Sequence, residues 1–188
     1  ADIQKLLMNS RSNPMKDSSG RKATQSLVIT AIAQSLYDPN EGWRDLSKLL
    51  SKAITKEDSS VIFELADSYN SRDESGSYFS NQNDIAIMIT CLDWQEPRTV
   101  EQMGSDRDAF IKAAPVFGQF LNFAGLPCKY WKAKPQLPKT QLTKIVTSPI
   151  IIIGVTEDPA TPYEWSQNLA KVFPNSKLLT LRGEGHTG

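Results

Sequence analysis

Two segments near the C-terminus carry residue types suited to acid–base chemistry. The first is IIIIGVTEDPATPYEW, residues 150–165, and the second is LLTLRGEGHTG, residues 178–188. One apolar run ends at the acidic pair Glu157-Asp158. The other ends at His186, the only histidine among 188 residues. A carboxylate next to an imidazole holds the ring in one tautomer and stabilises its protonated form, which makes the histidine a general base. Gly183 and Gly185 let the loop before His186 take conformations closed to other residues. Asp158-Pro159 would hold the acid on a rigid turn. Thr161-Pro162 predicts a helix start, with Thr161 as N-cap and Pro162 at the first helical position. Singly, a histidine between glycines is an ordinary surface residue and Asp-Pro an ordinary turn. Their order, each after an apolar run, is what points to a site.

Strands must position these residues. Pro149–Val155 is a continuous apolar run and predicts a parallel strand buried on both faces. Trp165, Leu169, Val172 and Phe173 mark a helix, and Lys177–Leu181 predicts a second strand. In open α/β sheets the working residues lie at the carboxyl ends of strands, and this βαβ unit would bring Asp158 and His186 out at the same end. Two parallel strands alone lack neighbours and cover. The unit therefore reads as the edge of a sheet whose other strands are not in this chain.

Upstream the pattern is helical. Val28, Ile32 and Leu36 predict a helix over 22–37, closed by Asp38-Pro39. Trp43, Leu46, Leu49, Leu50, Ala53 and Ile54 share one helical face. Thr55-Lys56-Glu57-Asp58 has the form of a capping box ahead of a helix carrying Val61, Ile62, Leu65, Ala66 and Tyr69. Phe110, Ala113, Phe117, Phe120 and Leu121 predict one more, started or kinked at Pro115. Ser71–Gln82 reads as a loop. Asp84–Cys91 suits either a strand or a buried helix. Lys129–Lys139 reads as a linker or strap.

Balanced charge, with 21 basic and 21 acidic residues, removes the usual reason to expect nucleic acid or an anionic membrane as partner. No apolar run approaches the roughly 20 residues a membrane helix needs. One histidine with two distant cysteines makes a poor zinc site. Cys91 and Cys128 could be two buried thiols or one bridge, and spacing alone does not choose.

The quoted segments resemble the end of α/β-hydrolases, where G-x-x-D-P-x-T-P and a later G-x-G-H supply the acid and base of a Ser-Asp-His triad. The chain is most similar to the tripeptidyl-aminopeptidase-like (TAP-like) branch of actinobacteria. AIAQSLYDPNEGWRDLSKLL, FELADSYNSRDESGSY, CLDW and PCKYW match as well, so the likeness spans nearly the whole chain. It implies Asp158 as triad acid, with Glu157 as rival, and His186 as base. It also implies a Cys91–Cys128 disulfide and a secreted or cell-wall protein. The implied fold is a mainly α-helical lid, residues 1–140, followed by one βαβ portion of the core, residues 141–188. This is an incomplete α/β-hydrolase fold lacking the N-terminal strands. The implied activity is peptidase, aminopeptidase or esterase, with a peptide or ester substrate and no cofactor or metal.

The nucleophile elbow, G-x-S-x-G, is missing. The 10 glycines include no two that are four apart. The expected serine therefore lies upstream of Ala1, and the N-terminal hydrolase core of the same protein becomes a partner. Alone, the chain should be inert, with apolar surface exposed on Ile150–Val155 or a homodimer formed through it. An amine-binding carboxylate could come from Asp67, Asp73, Glu74, Asp84 or Asp93, each otherwise a solvated surface charge. Trp94 and Trp131 could line an apolar pocket or pack the lid. The alternative is a non-catalytic helical interaction module with a vestigial acid and histidine.

Overall fold

Helical periodicity governs the first part of the chain and apolar runs the last, and the computed structural model follows that division. It describes residues 2–134 and 144–188. Among these the order is α1 (Asp2–Ser12), α2 (Gln25–Ser35), α3 (Glu41–Thr55), α4 (Ser60–Tyr69), α5 (Gln82–Asp93), α6 (Val100–Ser105), α7 (Arg107–Ala113), α8 (Gly118–Leu121), α9 (Leu126–Tyr130), β1 (Ile150–Glu157), α10 (Tyr163–Val172) and β2 (Ser176–Glu184). The expected helical region followed by one βαβ unit is thus observed. The boundary expected between residues 140 and 141, and the end of the strap over Lys129–Lys139, lie outside the described residues.

The chain forms two compact units. One comprises Ala1–Met8 with Asn70–Pro138, the other Asn9–Tyr69 with Lys139–Gly188. In the second unit α2, α3 and α4 pack together around Val28, Ala31, Leu49, Ala53, Ile62 and Ala66, all buried. Gly42 permits this: a Cβ there would lie 2.3 Å from the Ser35 carbonyl oxygen. The α3 face is narrower than its spacing predicts, because Trp43 and Ile54 are exposed. The capping box expected at Thr55 is not formed. Thr55 ends α3, its hydroxyl donating to the Ser51 carbonyl one turn back. Asp58 instead accepts the Ser60 amide at the start of α4, at 2.8 Å. A capping box does occur at Thr99 and Gln102.

β1 and β2 pair in parallel, Ile150 with Ser176 through Val155 with Leu181. Parallel partners point to the same side. Gly154 and Thr180 face α10, where a Cβ on Gly154 would come within 2.9 Å of Ser166 and Tyr163. The opposite face is not buried as the apolar run alone predicts, and carries the exposed apolar surface expected of a βαβ unit without its neighbours. Ile151 is 71% exposed, Ile153 47%, Leu179 52% and Leu181 41%. The apolar run does fit a strand with two apolar faces, but the chain covers only one of them.

In the first unit, Asp84–Cys91 lies in α5. It is neither strand nor buried helix: Ile85, Ile87, Met88 and Ile89 are exposed and only Cys91 is buried. Pro115 separates α7 from α8, so the predicted single helix is two. Cys91 and Cys128 form a disulfide that joins α5 to α9 across a separation of 37 residues. On the loop-closure account, replacing both by Ala should lower stability by about 4 kcal/mol. Urea unfolding checks this, and an unchanged midpoint would contradict it.

Candidate functional site

The site lies within the second unit. Asp158 directly follows β1, and His186 stands two residues past β2. The pairing shifts register between Val155 and Glu157. At this bulge the Thr156 hydroxyl accepts the Gly183 amide at 3.1 Å. A bulge at a strand end re-aims the residues beyond it, and here it turns the 185–187 loop towards the end of β1. Gly185 has φ +106°, a conformation that disfavours any side chain, and a Cβ there would lie 2.9 Å from Pro39 Cδ.

Asp158 and His186 are brought together. His186 Nδ1 lies 2.9 Å and 3.0 Å from the two carboxylate oxygens. The Asp158 side chain is 3% exposed and that of His186 27%. The acid is thus sequestered while the imidazole remains reachable. Asp158 Oδ1 also accepts the amides of Ala160 and Thr161 at 2.8 and 2.7 Å, and Oδ2 accepts the Thr161 hydroxyl at 2.8 Å. The Thr187 amide adds a longer bond of 3.3 Å. Burial is the largest influence on this carboxyl and pushes its pKa up. The Thr161 and Ala160 amides, the His186 ring and the Thr161 hydroxyl together outweigh it, leaving the carboxyl well below the ordinary range. Facing only carboxylate oxygens, Nδ1 carries the proton of the neutral ring, and Nε2 keeps its lone pair. Nε2 makes no hydrogen bond among the described residues. Such an imidazole can accept a proton from a hydroxyl presented to it.

Thr161 is not the N-cap of α10. Its amide and hydroxyl both bind Asp158, and Pro162 takes the cap position with no side-chain bond. The rival acid, Glu157, is exposed. Of the other candidate carboxylates, Asp67 is committed to a two-pronged pair with Arg21. Asp73 closes a turn through Ser75 and Ser77. Glu74 and Asp93 are exposed. Asp84 lines an open cleft of about 820 Å³ with Tyr78 and Phe79, in the other unit. Trp94 is 41% exposed and Trp131 half-buried. No group of three or more His, Cys, Asp or Glu placed to hold a metal occurs among the described residues, and no helix among them is long and apolar enough to cross a membrane.

Sequence reasoning assigned no role to Tyr37. Its carbonyl accepts the His186 amide at 2.9 Å. Its ring stands at 86° to the imidazole with centroids 5.0 Å apart. The local signal was the SLYDP segment, where α2 ends and the Asp38 carboxylate accepts the Asn40 and Glu41 amides that open α3.

Residues 114–188 match the profile of the family described as TAP-like protein. The serine protease Hip1 of Mycobacterium tuberculosis is 32% identical over 180 residues, 94% of this chain and 34% of that protein. Carboxylesterase B of the same species is 27% identical over 177 residues, 93% of this chain and 34% of its own length. The tripeptidyl aminopeptidase of Streptomyces lividans is 23% identical over 189 residues, 100% of this chain and 35% of its own. The chain therefore spans about a third of the length of the curated relatives it matches.

Proposed function

We propose, on the premise that the chain is the C-terminal part of a TAP-like α/β-hydrolase, that it supplies the acid and base of a serine hydrolase active site. The observation that carries this reading is the hydrogen bond of His186 Nδ1 to a buried, multiply bonded Asp158, with Nε2 left open. In the complete enzyme Nε2 takes the proton of a serine hydroxyl as that oxygen attacks the substrate carbonyl, and later returns it to the leaving group. Asp158 keeps the ring in the required tautomer and stabilises the imidazolium.

The serine and its oxyanion donors are assigned to the part of the protein that precedes this chain. Two features support this: G-x-S-x-G does not occur here, and the relatives are about three times as long. That N-terminal core would add its strands at the edge of this sheet and cover the apolar face of Ile151, Ile153, Leu179 and Leu181. Isolated copies of the chain would pair through the exposed sheet edge at Ile150–Val155. The helical region to residue 140 is assigned the role of lid. The substrate is a peptide or an ester, following the protease, aminopeptidase and carboxylesterase names of the relatives. Export from the cytosol is proposed on the disulfide, which persists in oxidising compartments.

The test is to treat the full-length protein with a fluorophosphonate and map the adduct. One adduct is expected, on a serine outside residues 1–188. A folded full-length protein that takes no label would overturn the reading. The chain alone should hydrolyse no activated ester, and turnover surviving His186→Ala in the isolated chain would contradict its assigned role.

A further inference from the structure

We propose that Tyr37 is a positioning residue that holds the His186 ring in its working orientation. This rests on the reading of His186 as the general base. Asp158 holds the imidazole at a single atom, Nδ1. That bond alone leaves the ring free to swing about the line from Nδ1 to the carboxylate, carrying Nε2 away from the hydroxyl it must meet. A second restraint is needed, and Tyr37 supplies it twice. Its carbonyl holds the His186 backbone amide at 2.9 Å. Its ring meets the imidazole nearly at right angles, at a centroid distance of 5.0 Å, the edge-to-face contact that aromatic pairs favour.

Tyr37 is itself held. The Tyr69 side chain at the end of α4, together with partial burial, raises the pKa of its phenol. The ring thus stays neutral beside the Asp158 carboxylate. The two tyrosine rings lie 6.3 Å apart. Gly185 completes the arrangement. A side chain there would press on Pro39 and on the Tyr37 carbonyl, at 2.9 and 3.4 Å, so the close approach of the two loops depends on glycine. The α2–α3 connection therefore supports the imidazole by contacts additional to the bond from Asp158.

The full-length enzyme tests this with Tyr37→Leu, Tyr37→Phe and His186→Ala, each scored for kcat, KM and fluorophosphonate labelling rate. Tyr37→Leu should lower kcat and the labelling rate about tenfold or more, because small misplacements of a reacting group are costly. KM should stay within about twofold, since substrate binding is untouched. Tyr37→Phe keeps the ring and should recover kcat to within about threefold of wild type. If Tyr37→Leu does not fold, Tyr37→Met, also without a ring, should show the same loss. A folded Leu or Met variant with wild-type kcat overturns the proposal. Equal losses in the Phe and Leu variants also overturn it, because the hydroxyl and not the ring contact would then matter. His186→Ala separates the two readings. Full activity in that variant sinks the base itself, whereas an inactive His186→Ala with unaltered Tyr37→Leu sinks only the role of Tyr37.

Discussion

Asp158→Asn in the full-length enzyme should lower kcat by about 10⁴-fold with little change in KM. Asn is nearly isosteric. Its Oδ1 can still accept the Ala160 and Thr161 amides now held at 2.8 and 2.7 Å, so the turn after β1 should survive. The loss falls on the ring. An amide group facing His186 can present an N–H donor to Nδ1, which favours the tautomer with its proton on Nε2. A protonated Nε2 cannot accept the serine proton, and the imidazolium loses its counter-charge. The substitution should also change the response to acid. The Asp158 carboxyl is depressed in the folded state. Its contribution to stability is therefore fully present above the unfolded value of about 3.9. That contribution is lost as pH falls from there through the folded value. The Asn variant should show a flatter loss of stability below about pH 4. An unaltered kcat in Asp158→Asn would remove Asp158 from the triad and return Glu157 as candidate.

His186→Ala should have the larger effect, a fall in kcat of about 10⁵- to 10⁶-fold. No other histidine exists in the chain to substitute for it. The backbone amide at 186 would still bind the Tyr37 carbonyl, and Gly185 would still shape the loop, so the loss should be chemical and not structural. Binding of a substrate analogue should persist in the variant. A kcat within about tenfold of wild type would contradict the role of general base.

The meeting of Asp158 and His186 was legible in the sequence because strand-end residues follow apolar runs, and β1 and β2 extend to Glu157 and Glu184. The exposed face of the sheet was legible in a weaker form. The run at 150–155 announces two apolar faces, but only the fold shows that Ile151 and Ile153 are the uncovered ones. Caps were misjudged where two hydrogen-bonding choices competed. Thr161 could cap α10 or bind Asp158, and the buried carboxylate takes it. Thr55 could open α4 or close α3, and the carbonyl one turn back takes it. α5 defeated the apolar pattern because burial depends on what a helix meets, and within the chain Ile85–Ile89 remain exposed. Tyr37 was invisible as a site residue for a related reason. Its link to His186 runs through a main-chain carbonyl and a ring contact 149 positions away in the chain, and neither leaves a motif.

Asp158 and His186 are proposed to act as one unit on a serine outside this chain. A double-mutant cycle on kcat of the full-length hydrolase tests it most directly, with Asp158→Asn made in wild type and again in the His186→Ala background. Residues that act as a unit are strongly non-additive. Asp158→Asn should cost about 10⁴-fold in wild type and nearly nothing once His186 is gone. Equal losses in both backgrounds would show two independent residues and contradict the claim.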